Sequence, residues 1–399
     1  MKVGILGQGF LGWAGGIGFI VLVTQAIAAA DPASEIHLFL PLGTANKNRL
    51  LKFIPDWMLP NKKASVQRVP EGLSHRLILD AFVGLKDLVS LHILDETPLA
   101  LQKALRSTGV EAVLPAMDPL PSTLGVPWVG YLYDFQHRYL PAFFTAEEIE
   151  RRNTAFQKMA MMASAVIVNS RKVRSDIEAF VPEATAKIFV MPFAPFLDPG
   201  LVFEDDVQSG QARPYFMVCN QFWIHKDHGT AIRAFAQIAS QYPHVDLLCT
   251  GSLNDYRAPD YVPSLQDEIA RLGLAKRVKL LGMVPKNQQM QLLKNSLGLI
   301  QPTLFEGGPG GGAVYDAVAL GVPALVSDIE VNREVDCGDV RFFKAGDPGQ
   351  LARLMVDLLL NLPLQRPDRL ALLASGQARL AKCGEVLLES LAFVQKTRL

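Results

Sequence analysis

The run LGLIQPTLFEGGPGGGAVYDAVALGVPALVSD, Leu297 to Asp328, decides how this chain is read. Its apolar opening, LGLIQPT, predicts a strand ending just before Glu306. Every residue from Gly307 to Gly312 is glycine or proline, and Ala313 to Leu320 then reads as a helix closed by Gly321. Strand, glycine-rich loop and helix start form a cradle of backbone N–H groups backed by a positive dipole end, which suits a diphosphate. Gly310, Gly311, Gly312, Ala313 and Val314 are the positions expected to line it. Clustered glycines lose much conformational entropy on folding, and a plain connection has no need of them. No Gly-Lys-Ser/Thr follows, so the loop is not that of a P-loop ATPase. Two carboxylates bracket it. Asp316 lies one turn inside the helix, where it can face back and bind vicinal ribose hydroxyls, and Glu306 can accept hydrogen bonds from a sugar. The alternative is an ordinary turn with Glu306 in solvent.

Working outward, strand-like and helix-like segments alternate along the chain. KVGIL, EIHLFLP, EAVLP, PWVGYLY and AVIVNS read as strands in the first half. YFMVCN, VDLLCTG, RVKLLG, SLGLIQPT and VPALVS read as strands in the second. Helices are expected from about Ile17 to Ala30 and from Ala146 to Ala163, the latter burying Phe156, Met159, Ala160 and Ala163. Such alternation means parallel sheets with helical crossovers. Between the halves, Pro192, Pro195 and Pro199 stiffen a segment that continues to about Gly210 and reads as a linker. The expected architecture is α/β, with two Rossmann-like doubly wound domains: residues 1–192, residues 193–375, and a final helical segment 376–399. Ligands in such folds sit beyond the carboxyl ends of the strands. Lys226 lies there, after YFMVC and before an amphipathic helix, as either a solvated lysine or a diphosphate ligand. His225 and His228 flank it without a further ligand to complete a metal site.

Bulk composition agrees. The 399 residues suit two domains better than one core, and 49% hydrophobic with 20% charged residues is globular. The formal net charge of zero gives no pull toward nucleic acid. Cys219, Cys249, Cys337 and Cys383 lack C-x-x-C spacing and read as buried thiols in a reducing compartment, with no metal site expected. Lys2, an apolar stretch and AIAAA before Asp31 resemble a signal peptide, but glycines from Gly4 to Gly18 break up the apolar run. Cleavage there would delete the first strand, so a cytoplasmic protein is expected.

The stretch GQGFLG, Gly7 to Gly12, is a complete G-x-G-x-x-G and raises a dinucleotide-binding alternative. That motif needs a carboxylate about 20 residues on, at the end of the second strand, for the ribose. Here that strand ends in Leu40, Pro41 and Leu42. The loop also runs on through Trp13 and Ala14 to a second pair, Gly15–Gly16, before helical residues are expected. An NAD-dependent oxidoreductase is therefore the weaker reading.

The second-half block resembles the P-S-x-x-E-G-(F)-G-(L)-x-x-x-E-A-(M/L)-A-C-G-x-P-V-(V)-x-S-D pattern of the group 1 glycosyltransferases, which are retaining nucleotide-sugar enzymes of the two-domain GT-B fold. VDLLCTG is similar to the family's strand and glycine before the sugar-nucleotide site, which assigns Gly251 to donor binding. RVKLLGMVPKNQQMQLLKNS is similar to the block whose loop cups the base, which assigns Val284. The resemblance implies a donor held mainly by the second domain across a cleft from an acceptor held by the first. It also implies transfer with retention, no cofactor and no essential metal; no Asp-x-Asp is present.

Residue by residue, Glu306 corresponds to the first glutamate of the family's Glu-x7-Glu motif, on the transferred sugar, and Asp316 to the second, on the ribose. Nine residues separate them here, and the second is one carbon shorter. Lys226 corresponds to the diphosphate lysine; Gln221 stands where the family's arginine is usual. YLYDFQHRYLPAFF is similar to the strand end and cleft loop of the first domain, making Asp134 and His137 catalytic candidates, with a structural role for His137 as the alternative. Gly15 and Gly16 match the glycine pair whose bare backbone approaches the donor diphosphate from the first domain. The last helix in this fold crosses back onto the first domain; an ordinary terminal helix of the second is the alternative. The expected partners are a nucleoside diphosphate sugar and a glycan, lipid-linked or small-molecule acceptor, with peripheral membrane contact open. A catalytically idle sugar-nucleotide or glycan-binding protein of the same fold is the competing function.

Overall fold

The computed structural model describes residues 1–11, 14–41, 87–95, 97–197, 213–361 and 367–397, with positions 82, 85, 199 and 200 between them. Gly12, Leu42 and most of the expected linker beyond Gly200 lie outside the described residues.

Among the described residues, the first half forms a parallel sheet of seven strands: β1 (Lys2–Leu6), β2 (Glu35–Pro41), β3 (Val89–Leu94), β4 (Ala112–Ala116), β5 (Trp128–Leu132), β6 (Ala165–Val168) and β7 (Lys187–Val190). Its order is β3-β2-β1-β4-β5-β6-β7. Helices α1 (Ala14–Ala30), α2 (Pro98–Thr108), α3 (Gln136–Tyr139), α4 (Ala146–Met162) and α5 (Arg171–Phe180) connect or cover these strands. Local chemistry sets their ends. Thr145 and Glu148 make a reciprocal capping box at α4, and Ser170 caps α5 through the Val173 N–H.

The second half repeats the plan with six parallel strands: β8 (Tyr215–Cys219), β9 (Asp246–Thr250), β10 (Val278–Gly282), β11 (Gly298–Gln301), β12 (Ala324–Ser327) and β13 (Val340–Phe343). Their order is β10-β9-β8-β11-β12-β13. The helices are α6 (His228–Ala239), α7 (Tyr261–Arg271), α8 (Lys286–Lys294), α9 (Gly311–Ala319), α10 (Pro348–Leu360) and α11 (Arg369–Lys396). In each sheet the strand order reverses once, between β1 and β4 and between β8 and β11. Those two points open the crevices in which doubly wound folds hold ligands.

Strands β3, β7 and β13, which the sequence pattern does not announce, are all sheet edges. Their burial is mixed, whereas β6, β11 and β12 are buried at every residue. An edge strand needs no continuous apolar run. Three helices also begin earlier than their sequences suggest, among them α11, which starts at Arg369 rather than at 376. Helix α1 starts at Ala14, which puts Gly15 and Gly16 in its first turn, and α9 starts at Gly311. Glycine costs about 1 kcal/mol per helical position, and tertiary packing of the apolar face overrides that here.

Helix α11 returns to the first sheet. Leu380, Cys383, Leu387, Leu391 and Val394 share one buried core with Ile5, Ile20, Ile27, Leu38 and Val129. Its Gly384 lies so close to α1 that a Cβ there would stand 1.9 Å from the Ala26 carbonyl oxygen.

Candidate active site at the glycine cradle

The crevice between β8 and β11 is built first by backbone. Gly251, just past β9, has φ +141°, and a Cβ there would meet the Asn220 carbonyl oxygen at 2.0 Å. Its N–H donates to the Gly282 carbonyl at 2.9 Å, tying together the carboxyl ends of β8, β9 and β10. Across the crevice, Gly310 (φ +67°) and Gly311 (φ +63°) turn the chain into α9 through left-handed backbone. The N–H of Gly310 donates to Asn332 Oδ1 at 2.9 Å and that of Gly311 to the Gly308 carbonyl at 3.3 Å. These two of the expected cradle donors therefore hold the loop itself. The start of α9 has no side-chain cap, and a Cβ on Gly312 would meet nothing within 4 Å. Open space thus lies before an uncapped helix start, the electrostatic setting for an anion.

A polar chain runs along one wall of that space. Asn220 Nδ2 donates to Gln301 Oε1 (2.6 Å), and Gln301 Nε2 donates to Glu306 Oε1 (3.0 Å) and to the Gly310 carbonyl (2.8 Å). Lys226 Nζ donates to the same Glu306 oxygen at 2.5 Å. The Glu306 carboxylate also lies against the helix start, 2.9 Å from where a Cβ on Gly311 would be. Lys226 ends a short 3-10 turn, Ile224–Lys226, and Asp227 follows at φ +48° to cap α6 through the Thr230 N–H. The flanking His225 and His228 are buried, which pushes their pKa values down to about 2 and about 3. Among the described residues no cluster of histidine, cysteine and carboxylate groups could hold a metal ion.

The opposite wall carries a second pair. Asp316 Oδ2 accepts from Lys286 Nζ at 2.5 Å, near the end of β8, where burial and then the Asp316 charge push the Cys219 thiol up to about 12. Lys286 has no counterpart in the sequence expectations. Gln221, at the position where arginine was expected, accepts the Ser252 N–H at 2.9 Å and so ties its side chain to the loop after β9. Val284 is half-buried beside the exposed Met283, just ahead of α8.

The first domain closes over the loop. A Cβ on Gly307 would lie 2.3 Å from the Tyr133 carbonyl oxygen and 2.8 Å from Asp134 Cβ, and Ser170 Oγ donates to the Gly307 carbonyl at 3.1 Å. Asp134 follows β5 and accepts the Gln136 N–H at 3.0 Å. Burial raises its pKa, and the charge of Glu306 adds to the rise while Arg152 and Lys226 oppose it. The Asp134 carboxylate thus senses Glu306 across the domain boundary. His137, one turn on, is 1% exposed and packs among Phe135, Phe144 and Phe156 with Nε2 3.0 Å from Asn153 Oδ1. The structure places its ring inside an aromatic cluster. Gly15 is exposed and Gly16 buried in the first turn of α1. In the GQGFLG stretch, Phe10 is buried against Phe19 and Tyr131, filling the core.

One contact between the domains has no sequence signal at all. Glu334 accepts the backbone N–H of Arg171 and of Lys172, each at 2.9 Å, at the start of α5. Its carboxylate therefore caps a helix of the other domain.

Comparison with known proteins agrees with this geometry. Residues 203–371 match the family model of glycosyl transferases group 1. No curated protein sequence matches the chain. Among solved structures, sucrose-phosphate synthase from Thermosynechococcus elongatus aligns with 14% identity and a TM-score of 0.59, over 100% of this chain and 98% of that one. HepE from Anabaena, solved with UDP and glucose, aligns with 16% identity and a TM-score of 0.56, over 100% and 98%. WaaG, a glycosyltransferase of lipopolysaccharide biosynthesis, aligns with 13% identity and a TM-score of 0.56, over 98% and 99%. Two parallel Rossmann-like sheets, a glycine cradle at the second switch point and the match over residues 203–371 identify the chain as a protein of the GT-B fold whose second half matches the model of glycosyl transferases group 1.

Proposed function

We propose that this protein transfers a sugar from a nucleoside diphosphate donor to a hydroxyl acceptor, with retention and without a metal ion. The observation that carries the reading is the Lys226–Glu306 pair beside the open, uncapped start of α9. A diphosphate entering that space finds the helix dipole, the first-turn N–H groups around Gly312, Ala313 and Val314, and a lysine ammonium. Glu306 then faces the sugar, Asp316 the ribose, and Gly251 and Val284 border the base. Asp134 stands across the cleft on the acceptor side, and Gly15 and Gly16 bring the bare backbone of the first domain toward the donor diphosphate. In the retaining step, the bond from the anomeric carbon to the diphosphate breaks and the acceptor oxygen bonds on the same face. The acceptor proton passes to the departing phosphate oxygen, and preorganised donors stabilise the charge that develops there. The acceptor is a glycan, a lipid-linked glycan or a small molecule. No helix among the described residues is long and apolar enough to cross a membrane, and the reading places the protein in the cytoplasm with peripheral membrane contact allowed.

The competing reading, a sugar-nucleotide binder without turnover, draws on Gln221 at the arginine position and on its commitment to Ser252. A thermal-shift screen of UDP, GDP, ADP and their sugars, followed by slow donor hydrolysis, separates the two. Stabilisation with hydrolysis supports the transferase, and stabilisation without any turnover supports the binder. Stabilisation by NAD(H) alone would overturn both.

A further inference from the structure

Gln301 is the last residue of β11 and is fully buried, following Leu299 and Ile300 along the strand. Packing alone would accept leucine here, and a buried amide is tolerated only when its hydrogen bonds are made. All its partners belong to the site. Nε2 faces two acceptors, Glu306 Oε1 and the Gly310 carbonyl, while Oε1 faces the Asn220 amide donor. That pattern fixes the amide's orientation, because the flipped form would set an oxygen against two acceptors.

Glu306 Oε1 therefore has two donors of different kinds, the amide of a strand residue and the ammonium of Lys226 at 2.5 Å. Lysine is a flexible point charge, and a diphosphate arriving at the cradle competes for it. Once Lys226 turns to the diphosphate, the strand-borne amide is the partner that keeps the carboxylate in place. Through Gly310 the same nitrogen fixes the backbone at which α9 begins. We infer that Gln301 is a positioning residue for glycosyl transfer: it holds the Glu306 carboxylate in register with the glycine cradle while the donor takes up Lys226. This rests on the reading that Glu306 faces the sugar.

The experiment compares wild type, Gln301→Leu, Glu306→Ala and the double variant, using the UDP-, GDP- or ADP-sugar that most stabilises the wild type. Expected for Gln301→Leu is a kcat loss on the order of 100-fold, as for a misplaced reacting group, with affinity for the matching nucleoside diphosphate kept within about threefold. The double variant should be no slower than Glu306→Ala alone, since both act through one carboxylate. If Gln301→Leu does not fold, Asn220→Ser leaves the amide in place without its orienting partner, and the same split is expected at about 10-fold. Unchanged kcat, or kcat and diphosphate affinity falling together, overturns the inference while leaving the function intact. A wild type that binds these donors without turning them over overturns the transferase reading and this inference with it, as does one that binds none.

Discussion

Lys226 Nζ and Glu306 Oε1 stand 2.5 Å apart, with both side chains nearly buried at the mouth of the glycine cradle. The ammonium is committed to a carboxylate, so an arriving diphosphate must draw it away. The two residues should separate functionally. Glu306→Ala should lose most donor turnover while keeping nucleoside diphosphate binding, because the cationic partner remains. Lys226→Ala should weaken that binding by about 10- to 100-fold, the scale of a lost charge-assisted bond. Titration calorimetry with UDP, GDP and ADP checks this; equal losses in both variants would mean the pair acts only as a structural unit.

Glycines of the cradle should divide by the space in front of them. An alanine methyl at Gly251 would strike the Asn220 carbonyl at 2.0 Å from a backbone with φ +141°, so Gly251→Ala should cost about 2 kcal/mol or more. Gly312→Ala meets nothing within 4 Å and lies inside a helix, so its stability should rise by up to about 1 kcal/mol. The same methyl enters the space assigned to the diphosphate and should weaken nucleotide binding. Denaturant melts and UDP titrations of the two variants test this, and full nucleotide affinity in Gly312→Ala would place the anion elsewhere.

What could be read in advance follows from where the information lies. Central strands such as AVIV and ALVS are buried at every residue, so their apolar runs survive in the sequence. At the edges, β3 and β13 carry no such run, and the apolar IFV of β7 is only partly buried. Glu306, Lys226 and Asp316 could be put forward as candidates because each adjoins a strand end or the glycine block. Gln301 could not, although a polar residue closing an apolar run was visible. Its meaning depends on Asn220, which is 81 residues away in the chain and meets it only through the pairing of β8 with β11. Lys286 and Glu334 were hidden for the same reason, since their partners come from other elements of the fold.

Glu334 offers a test of how the domains meet. Its carboxylate caps α5 of the first domain through two backbone N–H groups, and Arg171 adds a contact at 3.5 Å. An N-terminal carboxylate cap is worth about 0.5–2 kcal/mol, enough to shift a closed-to-open balance severalfold. Glu334→Ala should enlarge the radius of gyration measured by X-ray scattering in the free protein. Saturating nucleoside diphosphate should reduce the difference. An unchanged profile would show that other contacts hold the cleft shut.

His137 sets a pH dependence that can be isolated. Burial among aromatic rings pushes its pKa down to about 4, and its Nδ1 is buried without a hydrogen-bond partner among the described residues. An unfolded chain binds that proton near pH 6.5. Stability from the neutral ring is therefore complete above pH 6.5 and is lost as the pH falls through about 4, at about 1.4 kcal/mol per pH unit within that window. His228 and His225 act in the same sense toward lower pH, whereas the raised pKa values of Asp134 and Asp227 oppose them. A difference measurement removes those shared terms. His137→Phe fits the aromatic surroundings and should unfold with a shallower pH slope than wild type between pH 6.5 and 4, by about one proton. Urea melts in half-unit pH steps measure that slope. Equal slopes would mean that His137 takes its proton in the folded state as readily as in the unfolded chain.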